Sequence, residues 1–146
     1  MMRCSAILAL AVVIAWSGGA VAGEATARGD TTAVLPLEIA KPLAGQRTRL
    51  VVTMLAASGP PSSAVVSLRS AGSEPRVLGR MAPYPATFDT RVGDPGQKAE
   101  FDITAAVQAA SAETAWTAEI KLATLSTAAN ATDAVQRFSV AVMKGP

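Results

Sequence analysis

The chain has 146 residues, with 13 Lys and Arg against 11 Asp and Glu and no histidine. That length fits one domain, and with 50% hydrophobic but only 4% aromatic residues the core must be built from Ala, Val, Leu and Ile. Lack of His removes the commonest general base and transition-metal ligand, and the single cysteine, Cys4, excludes intrachain disulfides and cysteine-rich metal sites.

The first 22 residues read as a secretory signal peptide. Arg3 supplies the positive start and Ala6 to Trp16 is an unbroken apolar run. Ser17-Gly18-Gly19 breaks any helix, and Ala20-Val21-Ala22 is an A-x-A cleavage site, so cleavage is expected between Ala22 and Gly23. The apolar run falls short of the ~20 residues that span a bilayer, so no membrane association is expected after cleavage. Cys4 leaves with the leader, and the exported chain, periplasmic or extracellular, holds together by burial alone. Loss of Arg3 leaves 12 basic residues against 11 acidic, a net charge of +1. Basic residues are scattered, only Arg47 and Arg49 sitting close together, and nothing forms the charge stripe that nucleic-acid binding needs.

Gly23 to Thr32 is small and polar and reads as a flexible leader, with a single domain over 33–146. From Ala33 onward apolar runs alternate with turn signals, the pattern of an antiparallel β-sandwich of about seven to eight strands. A first strand covers Val34 to Ile39, where Pro36 favours an edge. Thr48 to Ala56 is apolar on both faces, with Leu50, Val52 and Met54 opposing Arg49, Val51, Thr53 and Leu55, and reads as a central strand. After the loop Ser58 to Ser63, strands follow at Ala64 to Arg69 and Arg76 to Met81, with Gly79 marking a bulge in the second. Pro83 to Lys98 is irregular, with Tyr84 and Phe88 lying among Pro83, Pro85, Gly93, Pro95 and Gly96, the composition of a surface excursion or a binding loop. Ala99 to Ile103 is a strand, and Thr104 is the expected N-cap of one short helix over Ala105 to Ala110. Trp116, Ala118, Ile120 and Leu122 alternate with polar residues in the next strand, Ser126 to Asp133 is a loop, and Val135 to Met143 closes the fold.

Asp and Glu dominate the remaining acid–base inventory. Glu100 and Asp102 alternate on one strand, about 7 Å apart by strand rise. That falls within the roughly 5–9.5 Å used by paired carboxylates in glycoside hydrolysis, which makes a small carboxylate-dependent hydrolase the third-ranked reading. Solvated strand-edge carboxylates, with Asp102 supporting the turn into the helix, are the simpler account. In the loop Asp89 to Asp94, Arg91 separates the two acids and the calcium-loop spacing is missing. Met54, Met81 and Met143 lie in apolar runs and read as packing, not copper ligands. No metal or cofactor is therefore expected. Tyr84 and Phe88 offer an exposed aromatic platform for sugar rings, whereas Trp116 belongs in the core. Asn130-Ala131-Thr132 matches a glycosylation sequon.

One set of segments resembles a known family. Leu78-Gly79-Arg80-Met81-Ala82-Pro83-Tyr84-Pro85 is followed by Phe101-Asp102-Ile103-Thr104-Ala105-Ala106-Val107 and then by Trp116 opening an apolar strand. This is similar to the small β-sandwich domain found C-terminal to the di-copper catalytic domain of tyrosinases and polyphenol oxidases, over about Leu35 to Val142. The resemblance implies structural roles for Gly79 at the bulge, Tyr84 beside it, and Phe101, Asp102 and Thr104 at the strand-to-helix step. The copper ligands of those oxidases are histidines, absent here, so oxidase activity does not carry over. The expectation is a non-catalytic accessory domain standing alone and binding a secreted or periplasmic protein partner. A carbohydrate-binding module using Tyr84 and Phe88 is the alternative.

Overall fold

Apolar residues at period two, interrupted by Gly, Pro and Ser turns, generate two antiparallel sheets whose inner faces share one hydrophobic core. The computed structural model describes residues 20–111, 113–124 and 133–146. The apolar run of the expected signal peptide, Cys4 and the Asn130 sequon lie outside the described residues.

The first sheet is built on β3 (Arg47–Ser58), which pairs with β9 (Val135–Gly145) along its whole length. β1 (Ala20–Arg28) flanks β9, while β7 (Gln97–Asp102) and the two-residue β6 (Phe88–Asp89) share the other side of β3. β3 is thus central, as its two apolar faces suggest. The second sheet runs β2 (Ala33–Leu37), β8 (Trp116–Thr124), β4 (Ser62–Ser70), β5 (Arg76–Met81). A short helix, α1 (Thr104–Ala109), follows β7 and buries Val107.

The core takes every second residue. From β8 come Trp116, Ala118, Ile120 and Leu122, from β9 Phe138, Val140 and Val142, and from β3 Leu50, Val52 and Met54. Each large aliphatic side chain withdrawn from water contributes roughly 1.5–3 kcal/mol. Trp116 is 7% exposed and belongs to this core.

Three sequence expectations need correction. Gly23 to Arg28 is not a flexible leader but most of β1, so nine strands are present among the described residues and the folded part begins ahead of Ala33. Ala25 and Ala27 point inward, Ala27 fully buried, while Glu24, Thr26 and Arg28 point to water. Small inward residues carry little hydropathy, which makes a true strand look like a linker. The expected cleavage position after Ala22 falls at a register break between Val21 and Gly23. Second, Ser62 and Ser63 are buried in β4 instead of lying in the preceding loop. Third, Thr104 is the first residue of α1 and not its cap. Ile103 holds the cap position without a side-chain hydrogen bond.

Two bulges set the faces. In β5 the register passes from Val66–Gly79 to Ser67–Val77, leaving Leu78 as the extra residue beside Gly79. In β3 it passes from Met54–Phe138 to Ala56–Arg137, leaving Leu55 extra. Beyond this bulge the phase of β3 is inverted: Ala56 faces outward and Ala57 inward.

Gly79 also couples the sheets. A Cβ there would lie 2.6 Å from Cε1 of Phe101, so the ring of β7 rests on the bare backbone of β5. Gly79→Ala forces that ring aside, and a loss of about 1–3 kcal/mol is expected in denaturant unfolding. Trp116→Ala leaves a large core void, with an expected loss of about 3–5 kcal/mol. An unchanged unfolding midpoint in either variant would contradict the packing described.

Candidate functional site

The inverted phase of β3 underlies an open concavity on the outer face of the first sheet. One row across the outer face of the first sheet reads Thr26, Arg137, Ala56, Asp89, each residue paired with the next. Because Ala56 ends at a methyl, the row is hollow in its middle. The concavity has a volume of about 580 Å³, and its rim carries Arg28, Arg91, Val92 and Asp94. Its size falls in the range of small-molecule and peptide-side-chain pockets, roughly 300–1,000 Å³.

Arg137 dominates the floor. Its side chain is only 14% exposed, and one guanidinium nitrogen, Nη2, sits 3.5 Å from Oδ1 of Asp89. Its Nε is buried and finds no hydrogen-bond partner among the described residues. A guanidinium carries five donor hydrogens, and the buried Nε–H is the one left without a partner among the described residues. Arg28 on β1 and Arg91 in the turn after β6 are exposed and make no ion pair within the described residues.

The two aspartates of this site serve the loop that carries them. Oδ1 of Asp89 accepts the Arg91 N–H at 2.9 Å and caps a single 3-10 turn over Thr90–Val92. Oδ2 of Asp94 accepts the Asp89 N–H at 2.9 Å. Gly93, at φ 94°, closes the loop in the left-handed conformation that glycine adopts without strain. Asp94 thus serves its own loop, Asp89 is shared between that loop and Arg137, and the described residues contain no group of three or more metal-ligating side chains.

The remaining residues singled out in the sequence lie elsewhere. Tyr84 is 87% exposed, whereas Phe88 is 4% exposed and packs in the core opposite Ala57. The expected aromatic pair is therefore not formed. β6 turns Phe88 inward, and Tyr84 stands alone on its loop, where its carbonyl accepts a hydrogen bond from Gln97 Nε2 at 3.0 Å. Val92, 77% exposed, stands at the rim of the concavity, and no sequence signal marks it.

Glu100 and Asp102 share an outer face, and each is engaged by other neighbours. Glu100 lies 3.6 Å from Arg49 and 3.9 Å from Lys98, pairs that are largely solvent-screened. Asp102 stitches the strand-to-helix step. Its Oδ1 accepts from the Thr104 hydroxyl at 2.6 Å and from the Thr104 N–H at 3.0 Å. The Thr104 hydroxyl in turn accepts the Thr48 N–H at 2.8 Å, tying α1 to the start of β3. These two hydrogen bonds hold the Asp102 carboxyl below the 3.8 of an ordinary aspartate, with minor help from Arg47 and Arg49. A catalytic general acid needs the opposite shift.

A carboxyl depressed in the folded state stabilises the fold above its unfolded value, and that contribution is lost as pH falls through the folded value. The stability advantage of the natural protein over Asp102→Asn is therefore expected to be constant near neutrality and to shrink below pH 3.8. A gap unchanged down to pH 2 (about the lower end of such titrations) would show that the charge does not matter.

No family model matches this chain, and no curated protein matches it.

Proposed function

We propose that this chain is an exported, non-catalytic β-sandwich accessory domain that binds a separate secreted or periplasmic protein, with an oxidase-like protein as the candidate partner. The observation that carries this reading is the concavity over Ala56. It lies on the face of a four-strand-wide sheet, between arginines from three different elements, and opens to solvent beside the exposed Val92. A sheet platform with an exposed valine among charged rim residues and a nearly buried arginine has features of interface hot spots, in which Arg is enriched.

The tyrosinase-like segments support the same reading in a second way. Gly79 and Phe101, adjacent only through folding, touch across the sheets, and Asp102 and Thr104 form the strand-to-helix stitch. The segments that carry the resemblance are thus framework of the sandwich, which suits an accessory domain whose partner performs the chemistry. The sugar-binding alternative loses its basis with Phe88 in the core, because one exposed ring gives no stacking pair.

The test uses the full chain, expressed with its own leader and isolated as processed, immobilised against the native exported fraction. One protein retained in stoichiometric amount is expected. Retention should be lost with Val92→Asp and kept with Tyr84→Ala. Absence of any stoichiometric protein, or indifference to Val92→Asp, would overturn the reading. Retention on polysaccharide that depends on Tyr84 would replace it by the sugar-binding one.

A further inference from the structure

We propose that the concavity recognises a carboxylate, presented by an acidic peptide segment of the partner, with Arg137 as the anchoring cation. This rests on the partner-binding reading and specifies the chemistry of its site.

Charge complementarity selects the ligand. The lining contains three arginines and two aspartates, an excess of one positive charge. One singly charged carboxylate neutralises it. A phosphate group, at about −1.5 to −2 near neutral pH, overshoots and meets the two aspartates at the same rim. Geometry points the same way. Guanidinium and carboxylate are planar forks that match through two parallel hydrogen bonds. Arg137 is engaged on one side by a 3.5 Å contact to Asp89, and its Nε has no partner among the described residues. Asp89 is itself held by the Arg137 pair and by the Arg91 N–H, and acts as a positioning residue.

The surroundings suit a peptide. Val92 and Val135 offer apolar contact, and Thr26, Ser58 and Thr87, residues with hydroxyls able to bond main-chain amides, are among the lining. The row from Thr26 to Asp89 crosses three strand pairings, so the ligand lies over sheet and not over a loop alone.

The test follows backbone and arginine Nε–H signals of the nitrogen-15-labelled protein at low ionic strength. The probes are an acetylated, amidated Gly-Glu-Gly peptide, its Gly-Gln-Gly counterpart, and inorganic phosphate. Saturable shifts at Arg137 and Arg91 are expected with the glutamate peptide and not with the glutamine one. Arg137→Gln should weaken this binding by roughly tenfold or more. Arg91→Gln and Arg28→Gln, both at exposed positions, keep the test valid if the Arg137 variant misfolds, and each should weaken binding severalfold. Arg80→Gln, the same charge change on the second sheet, should leave it unchanged. Equal responses to both peptides, no saturable shift, or a response to phosphate with the glutamate peptide silent would each overturn the proposal. Stoichiometric partner capture together with a silent glutamate peptide would overturn the carboxylate site alone and leave the partner reading standing.

Discussion

The pairing of β3 with β9 is the constraint from which the rest of this structure follows. Eleven ladder positions join the two strands, and each strand carries a further neighbour on its far side. Leu50, Val52 and Met54 from one strand, with Phe138, Val140 and Val142 from the other, form the floor of the core. Once that ladder is in register, the direction of every other side chain on the first sheet is fixed, because a slip of one residue would turn each to the opposite face. The single extra residue at Leu55 is such a slip, confined to one end of β3. It makes one stretch of the sheet present Ala56 to solvent and Ala57 to the core, and it thereby hollows the face beneath Arg137.

This division of labour explains why core and site differ in chemistry. The inner faces are mostly hydrocarbon and hold together by area, with Thr48 and Gln136 among the few buried polar side chains. The outer face over Ala56 is built from long cations and short acids whose hydrogen bonds run within one loop. Arg137 stands between the two regimes, carried by the central ladder and mostly buried by its neighbours, with one ion-pair contact to Asp89 and a buried Nε that has no partner among the described residues. An unpaired buried donor costs stability. Asp102 shows the contrasting case. Its Oδ1 accepts two hydrogen bonds from Thr104, and the result is a joint between strand, helix and β3.

Much of the architecture was legible because hydrophobic periodicity is strong where strands are long. The alternation from Trp116 to Leu122 and the two-faced apolar run from Leu50 to Met54 predicted a buried face and a central strand without help from tertiary contacts. Three features were hidden for separable physical reasons. β1 is written in alanines whose burial depends on a partner more than 100 positions away, as the Ala25–Phe138 pairing shows. The bulge at Leu55 lies in a Leu-Ala-Ala stretch where either phase satisfies the pattern. Phe88 sits in a strand of two residues, too short for any period, so its proline-rich surroundings suggested exposure. The concavity needs all three: β1 for Thr26 and Arg28, the bulge for Ala56, and β6 for Asp89. A sequence read one element at a time could not assemble it.

The position of β9 in the chain has a further consequence for how this molecule comes into being. The strand between β1 and β3 is β9 (Val135–Gly145), which is remote in sequence from both of them. Until β9 docks, β1 has no ladder partner and one edge of β3 stands unpaired. Native structure in the first sheet is therefore a late event in folding, governed by contacts of long sequence separation, which form slowly. In the interval the open edge of a strongly apolar β3 is a template on which a neighbouring chain can pair.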